Sequence, residues 1–80
     1  MTFYKHEIKT KNGLLMAILF LNKKVFAEEF SANLENISIE NNHIRQSALA
    51  YINKKFPQLD IKVVQIIVGK VPYSTFYVPN

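Results

Sequence analysis

The sequence predicts an α+β fold: a small antiparallel or mixed β-sheet of four or five strands, with one amphipathic helix on one face, in the order β-β-(β)-α-β-β. Three observations carry that expectation. Asn12-Gly13 stands between two extended segments, and Asn-Gly is the strongest short hairpin signal, because both residues tolerate positive φ in a type I′ turn. A helical apolar period runs over Asn41–Lys55 and stops at Pro57. Ile61–Val68, IKVVQIIV, is β-branched and almost continuously apolar, as a strand buried on both faces is.

The hairpin comes first, with strands predicted at Phe3–Thr10 and Leu14–Leu21 around Lys11-Asn12-Gly13. Taking Asn12 and Gly13 as the two turn residues sets Lys11 opposite Leu14, Lys9 opposite Met16, Glu7 opposite Ile18 and Lys5 opposite Phe20. Alternation then sorts Tyr4, His6, Ile8, Leu15, Ala17, Leu19 and Leu21 onto one face. Phe3, Lys5, Glu7, Lys9, Met16, Ile18 and Phe20 go to the other. The first strand alternates as an edge strand does, whereas the second is apolar on both faces and belongs inside the sheet. Asn22-Lys23-Lys24 reads as a second turn. Val25–Phe30, VFAEEF, fits either a third strand or a short helical turn. Asn33–Asn42, NLENISIENN, reads as the loop between the two halves, since Asn side chains compete for backbone hydrogen bonds.

The helix is expected over Asn41–Lys55, with Ser38 as a candidate N-cap. On a helical wheel Ile44, Ala48, Leu49, Tyr51, Ile52 and Phe56 share one arc, and His43, Gln46, Ser47, Ala50, Asn53 and Lys54 lie opposite. Lys54 and Lys55 suit the helix C-terminus, and Pro57 ends it. Ile61–Val68 follows as a central strand. Gly69-Lys70-Val71-Pro72 breaks it, and Tyr73–Val78 is a last strand, held to an edge or terminus by Pro72 and Pro79. One helix covers one face of a sheet, yet two strands are apolar on both. The uncovered face is therefore expected to need another layer.

Composition narrows the function. Eighty residues make one domain, residues 1–80, and 49% hydrophobic content with ten Phe and Tyr excludes disorder. Without cysteine there is no disulfide framework, thiolate metal site or cysteine nucleophile. The longest apolar run, Leu14–Leu21, is eight residues, far short of the about 20 that span a bilayer. The N-terminus lacks the apolar stretch of a signal peptide, so the expected location is cytoplasmic, with non-classical export or envelope association left open. The net charge of +4 comes from nine Lys and one Arg against six acids.

No catalytic or metal constellation emerges. His6 and His43 lack the local spacing of a metal pair, and His6 is expected to be partly buried among Tyr4 and Ile8, His43 solvated. The carboxylates Glu7, Glu28, Glu29, Glu35, Glu40 and Asp60 form no facing pair; Glu28 and Glu29 are neighbours that point apart. The serines sit in no nucleophile elbow, and two glycines build no phosphate loop. No enzymatic activity, metal or cofactor is expected.

From Tyr51-Ile-Asn-Lys-Lys-Phe-Pro57 through Val63-Val-Gln-Ile-Ile-Val-Gly69 the chain resembles small domains of spore-forming bacilli. In those, an amphipathic helix ends in a "YIxxKFP"-like turn and runs into a "VKxVxIxxG" strand. The leading hairpin is similar too. Such domains occur alone or ahead of cell-wall modules, and the resemblance implies a fold without an activity. Lys70-Val71-Pro72 departs from the continuous strand usual at that point.

The expectation for function is a non-catalytic protein-interaction or self-assembly module, working through an apolar sheet face or an open strand edge. The expected contact residues are Phe3, Met16, Ile18, Phe20, Phe76 and Tyr77, with a second copy or another protein as partner. The alternative is a small basic nucleic-acid binder using Lys5, Lys9, Lys11, Lys23 and Lys24.

Overall fold

The structure, a computed structural model, describes residues 3–30 and 42–79. The chain runs β1 (Lys5–Lys11), β2 (Leu14–Leu21), α1 (Lys23–Phe30), α2 (Asn42–Lys55), β3 (Val63–Val68) and β4 (Val71–Tyr77). The strands form one four-stranded sheet in the order β1-β2-β3-β4, so β1 and β4 are its edges. β1 with β2 and β3 with β4 are antiparallel; β2 with β3 is parallel. Parallel neighbours cannot be joined by a tight turn, and the two helices lie on the connection between them. The fold is thus α+β with a mixed sheet. Among the described residues it has four strands, within the four or five expected, and two helices rather than one.

The β1–β2 hairpin has the register that its turn dictates, with Lys11 opposite Leu14 and Lys5 opposite Phe20. Asn12 (φ 53°) and Gly13 (φ 78°) both take positive φ, as a type I′ turn requires. A second hairpin joins β3 to β4 through Gly69-Lys70, closed by Val68 opposite Val71. Gly69 has φ 64° while Lys70 does not take positive φ, the sign pattern of a type II′ turn. β4 therefore starts at Val71, and Pro72 lies inside it rather than before it. The closing pair points Val71's N–H and C=O towards β3, so alternation turns the Pro72 nitrogen outward, where an edge strand loses no ladder bond.

Asn22-Lys23-Lys24 is a helix start and not a turn, and Val25–Phe30 is helical. The Asn22 Oδ1 accepts from the Lys24 N–H at 2.8 Å and the Val25 N–H at 3.4 Å, and the Asn22 carbonyl accepts from the Phe26 N–H at 2.9 Å. That is an N-cap, which satisfies donors that the first helical turn otherwise leaves orphaned. α2 begins at Asn42; Ser38 and most of the Asn-rich stretch lie outside the described residues.

Both helices pack on the same face of the sheet. Phe26 of α1 and Ile44, Ala48 and Ile52 of α2 join Ala17, Leu19, Leu21, Val64, Ile66, Val68 and Phe76 in one core. The pairings Ala17–Val64, Leu19–Ile66 and Leu21–Val68 set these strand residues side by side. The arc expected for α2 is the buried one: Ile44, Ala48 and Ile52 are buried, with Leu49, Tyr51 and Phe56 partly so. Met16 and Ile18 are also buried, at 8% and 6% exposure, yet stand outside this core because they occupy the opposite face.

Two irregularities depart from simple alternation. The Tyr4 N–H bonds the Phe20 carbonyl at 3.0 Å, although Phe20 is already paired with Lys5. This extra residue at the strand start behaves as a β-bulge and turns Tyr4 to the side of Phe20, their ring centroids 6.4 Å apart. Phe3 is thereby sent to the helix side, where it meets Tyr51 edge-on at 5.3 Å. The expected face assignments of Phe3 and Tyr4 are thus exchanged. In β4, Ser74 pairs with Ile66 and Pro72 with Ile67, leaving Tyr73 as an extra residue. Its ring reaches Phe26 at 5.3 Å, on the helix side.

Candidate interaction surface

Pairing across the sheet builds the helix-free face row by row. Lys5, Phe20, Ile67 and Pro72 form one row. Glu7, Ile18, Gln65 and Thr75 form the next, and Lys9, Met16, Val63 and Tyr77 the third. Among the described residues neither helix packs on this face. Its centre is apolar apart from Gln65, its β1 side charged and its β4 side uncharged. Tyr77 is 74% exposed. At the hairpin end Lys11, Leu14, Met16, Val63 and Tyr77 line a shallow depression of about 250 Å³.

Of the six residues expected as a contact surface, the structure brings together Met16, Ile18, Phe20 and Tyr77. Phe3 and Phe76 are not among them, because they belong to the core under the helices; Met16 and Ile18 lie on the other face but are themselves only 8% and 6% exposed. The bulge at Tyr4 moves Phe3. Phe76 is the neighbour of Tyr77, and successive strand residues point to opposite faces. Hairpin parity also missed Val63 and Ile67, which join the face only through the parallel pairing of β3 with β2.

Part of the apolar centre is covered by the charged edge. The Lys5 ammonium stands 4.9 Å from the centre of the Phe20 ring, directly across the ladder. Glu7 takes Lys5 and Lys9 at 3.5 Å each, through its two oxygens. Such exposed pairs contribute little energy; in the ladder Lys9 stands directly opposite Met16 and Glu7 opposite Ile18.

The basic residues divide into two groups. Lys5, Lys9 and Lys11 line β1 on the open face. Lys23 and Lys24 lie in the first turn of α1, which packs on the opposite face of the sheet, and the Lys23 Cβ would stand 3.6 Å from a Cβ added at Gly69. The five lysines make no single patch.

His6 lies on the helix side of β1, exposed and not buried among Tyr4 and Ile8. Its Nδ1 is 2.8 Å from the Tyr51 hydroxyl, and its ring meets Phe56 edge-on at 4.7 Å. The pair ties edge strand β1 to the end of α2. His43 is exposed at the start of α2. Among the described residues no group of three or more His, Cys, Asp or Glu side chains is placed to hold a metal ion. No helix among them is long and apolar enough to cross a membrane.

Neither a family model, nor a curated protein, nor a solved structure matches this chain. The expected resemblance to domains of spore-forming bacilli finds no support in these comparisons.

Proposed function

We propose that the chain is a non-catalytic self-assembly and protein-interaction module whose working surface is the helix-free side of the sheet, together with its uncharged edge. One observation carries the reading: both helices pack on one face, while the other carries Met16 and Ile18, 8% and 6% exposed, the partly exposed Phe20, Val63 and Ile67, and Tyr77, 74% exposed, beside them. An apolar face of this kind, rimmed by charge, marks an association site more often than a catalytic one. A domain of 80 residues without disulfides also gains most from area buried against a second chain.

The test is sedimentation of the full chain across the micromolar range. A concentration-dependent dimer or larger species is expected; a monomer throughout contradicts self-assembly.

A second reading has its own observation. Lys5, Lys9 and Lys11 share the open face with Tyr4, Phe20 and Tyr77, the pairing of cations and stacking rings that single-stranded nucleic acid uses. Glu7 neutralises part of that row, and Lys23 and Lys24 belong to α1, which packs on the other face of the sheet. Oligonucleotide affinity that falls linearly with log salt favours this reading. Absence of binding at low salt removes it.

A further inference from the structure

The two edges of the sheet differ in a way that selects how copies associate. β1, KHEIKTK, carries Lys5, Glu7, Lys9 and Lys11, and lysine on an edge strand blocks strand addition. β4, VPYSTFY, carries no charged residue, and Val71 and Tyr77 are 51% and 74% exposed. We propose that β4 is an assembly edge whose occupant is β4 of a second copy, added antiparallel across a two-fold axis to make one continuous eight-stranded sheet. The proposal rests on the self-assembly reading above and specifies its geometry.

Backbone directions fix which residues would pair. The Val78 N–H is turned inward, to the Lys62 carbonyl at 2.9 Å. Backbone groups alternate along a strand, so Phe76 and Ser74 also face β3, while Thr75 and Tyr77 direct N–H and C=O outward. The outward Pro72 and the bulge at Tyr73 confine addition to the stretch beyond them. An axis through Phe76 sets Thr75 of one copy opposite Tyr77 of the other, twice. Each pair exchanges two main-chain hydrogen bonds and joins a β-branched to an aromatic side chain, a favourable cross-strand combination.

Charge argues against the other modes. β1 against β1 joins two strands that each carry three lysines and one glutamate, and about Ile8 it sets Lys5 opposite Lys11 twice. Stacking the open faces brings the lysine rows of two chains, each of net charge +4, onto sheets only about 10 Å apart. Pairing through β4 leaves the two β1 strands about seven strand spacings apart, roughly 34 Å, well beyond the screening length of about 10 Å. It is also isologous, so it closes at the dimer, whereas β1 on β4 would propagate as a filament.

The chain has no cysteine, so a single Thr10→Cys variant takes one spin label in β1 without further change. In edge pairing the two labelled strands are roughly 34 Å apart, seven spacings of about 4.8 Å. Stacked faces give a distance well short of that. Tyr77→Lys and Thr75→Pro, each added to the labelled chain, are expected to abolish the long distance and weaken the dimer at least tenfold. Circular dichroism reports whether each variant keeps its fold, and the more exposed Tyr77→Lys guards against misfolding of the proline variant. A short distance, or a long one that survives Tyr77→Lys, overturns the β4 assignment and leaves self-assembly standing. Loss of every intermolecular distance in the unsubstituted labelled chain overturns both.

Discussion

Tyr73 owes its position to a bulge: simple alternation would have turned it to the open face, and the extra residue puts its ring against Phe26 instead. Burial there raises its hydroxyl pKa above the ordinary 10.0, partly offset by the positive charge of Arg45. A raised folded pKa favours the neutral phenol in the native state. Its contribution is complete below the unfolded pKa and is lost as pH rises through the folded one. Tyr73→Phe cannot ionise. From about pH 9 to pH 11 the native chain should therefore lose more stability than the Phe variant, read as the difference in urea midpoints. Parallel curves for the two proteins would contradict the placement of Tyr73.

At the scale of elements, α1 is eight residues long and depends on its cap and on Phe26 for its position. Asn22→Ala removes the side-chain acceptor of two backbone N–H groups and should cost about 1 kcal/mol, measured by urea unfolding. A change below about 0.3 kcal/mol would mean that water replaces the cap without loss. The same element shows where sequence reasoning reached its limit. VFAEEF suits a strand or a helix, and Asn22 was read as a turn because Asn serves both turns and caps. The β1–β2 register was legible because turn type fixes it, and the buried arc of α2 because six apolar residues share one side. β4 was displaced by two residues because Pro72 reads as a breaker, and only its place at an edge makes it tolerable inside a strand. The open face was legible for Met16, Ile18 and Phe20. It was not legible for Phe3 or Tyr4, because a bulge shifts parity without a sequence mark. Nor was it for Val63 and Ile67, because no short-range signal sets the register of a parallel pair.

For the whole molecule, the surplus of apolar residues resolves into a division of labour. One side of the sheet is closed by two helices. On the other, Lys5 of β1 lies over Phe20, and towards β4 the strand itself carries no charged residue, with Arg45 of α2 on the helix side, 5.0 Å from the Phe76 ring. Self-assembly through β4 would place the strongest positive charge at the two far ends of the dimer and the aromatic, uncharged strands at its centre. The most direct measurement is amide hydrogen exchange at Thr75 and Tyr77 as the protein is concentrated. The outward N–H groups of β1, at Ile8 and Thr10 by the same alternation, serve as the internal comparison. Protection at Thr75 and Tyr77 should rise with concentration while Ile8 and Thr10 stay unchanged. Exchange at Thr75 and Tyr77 that is fast and independent of concentration would contradict assembly through this edge.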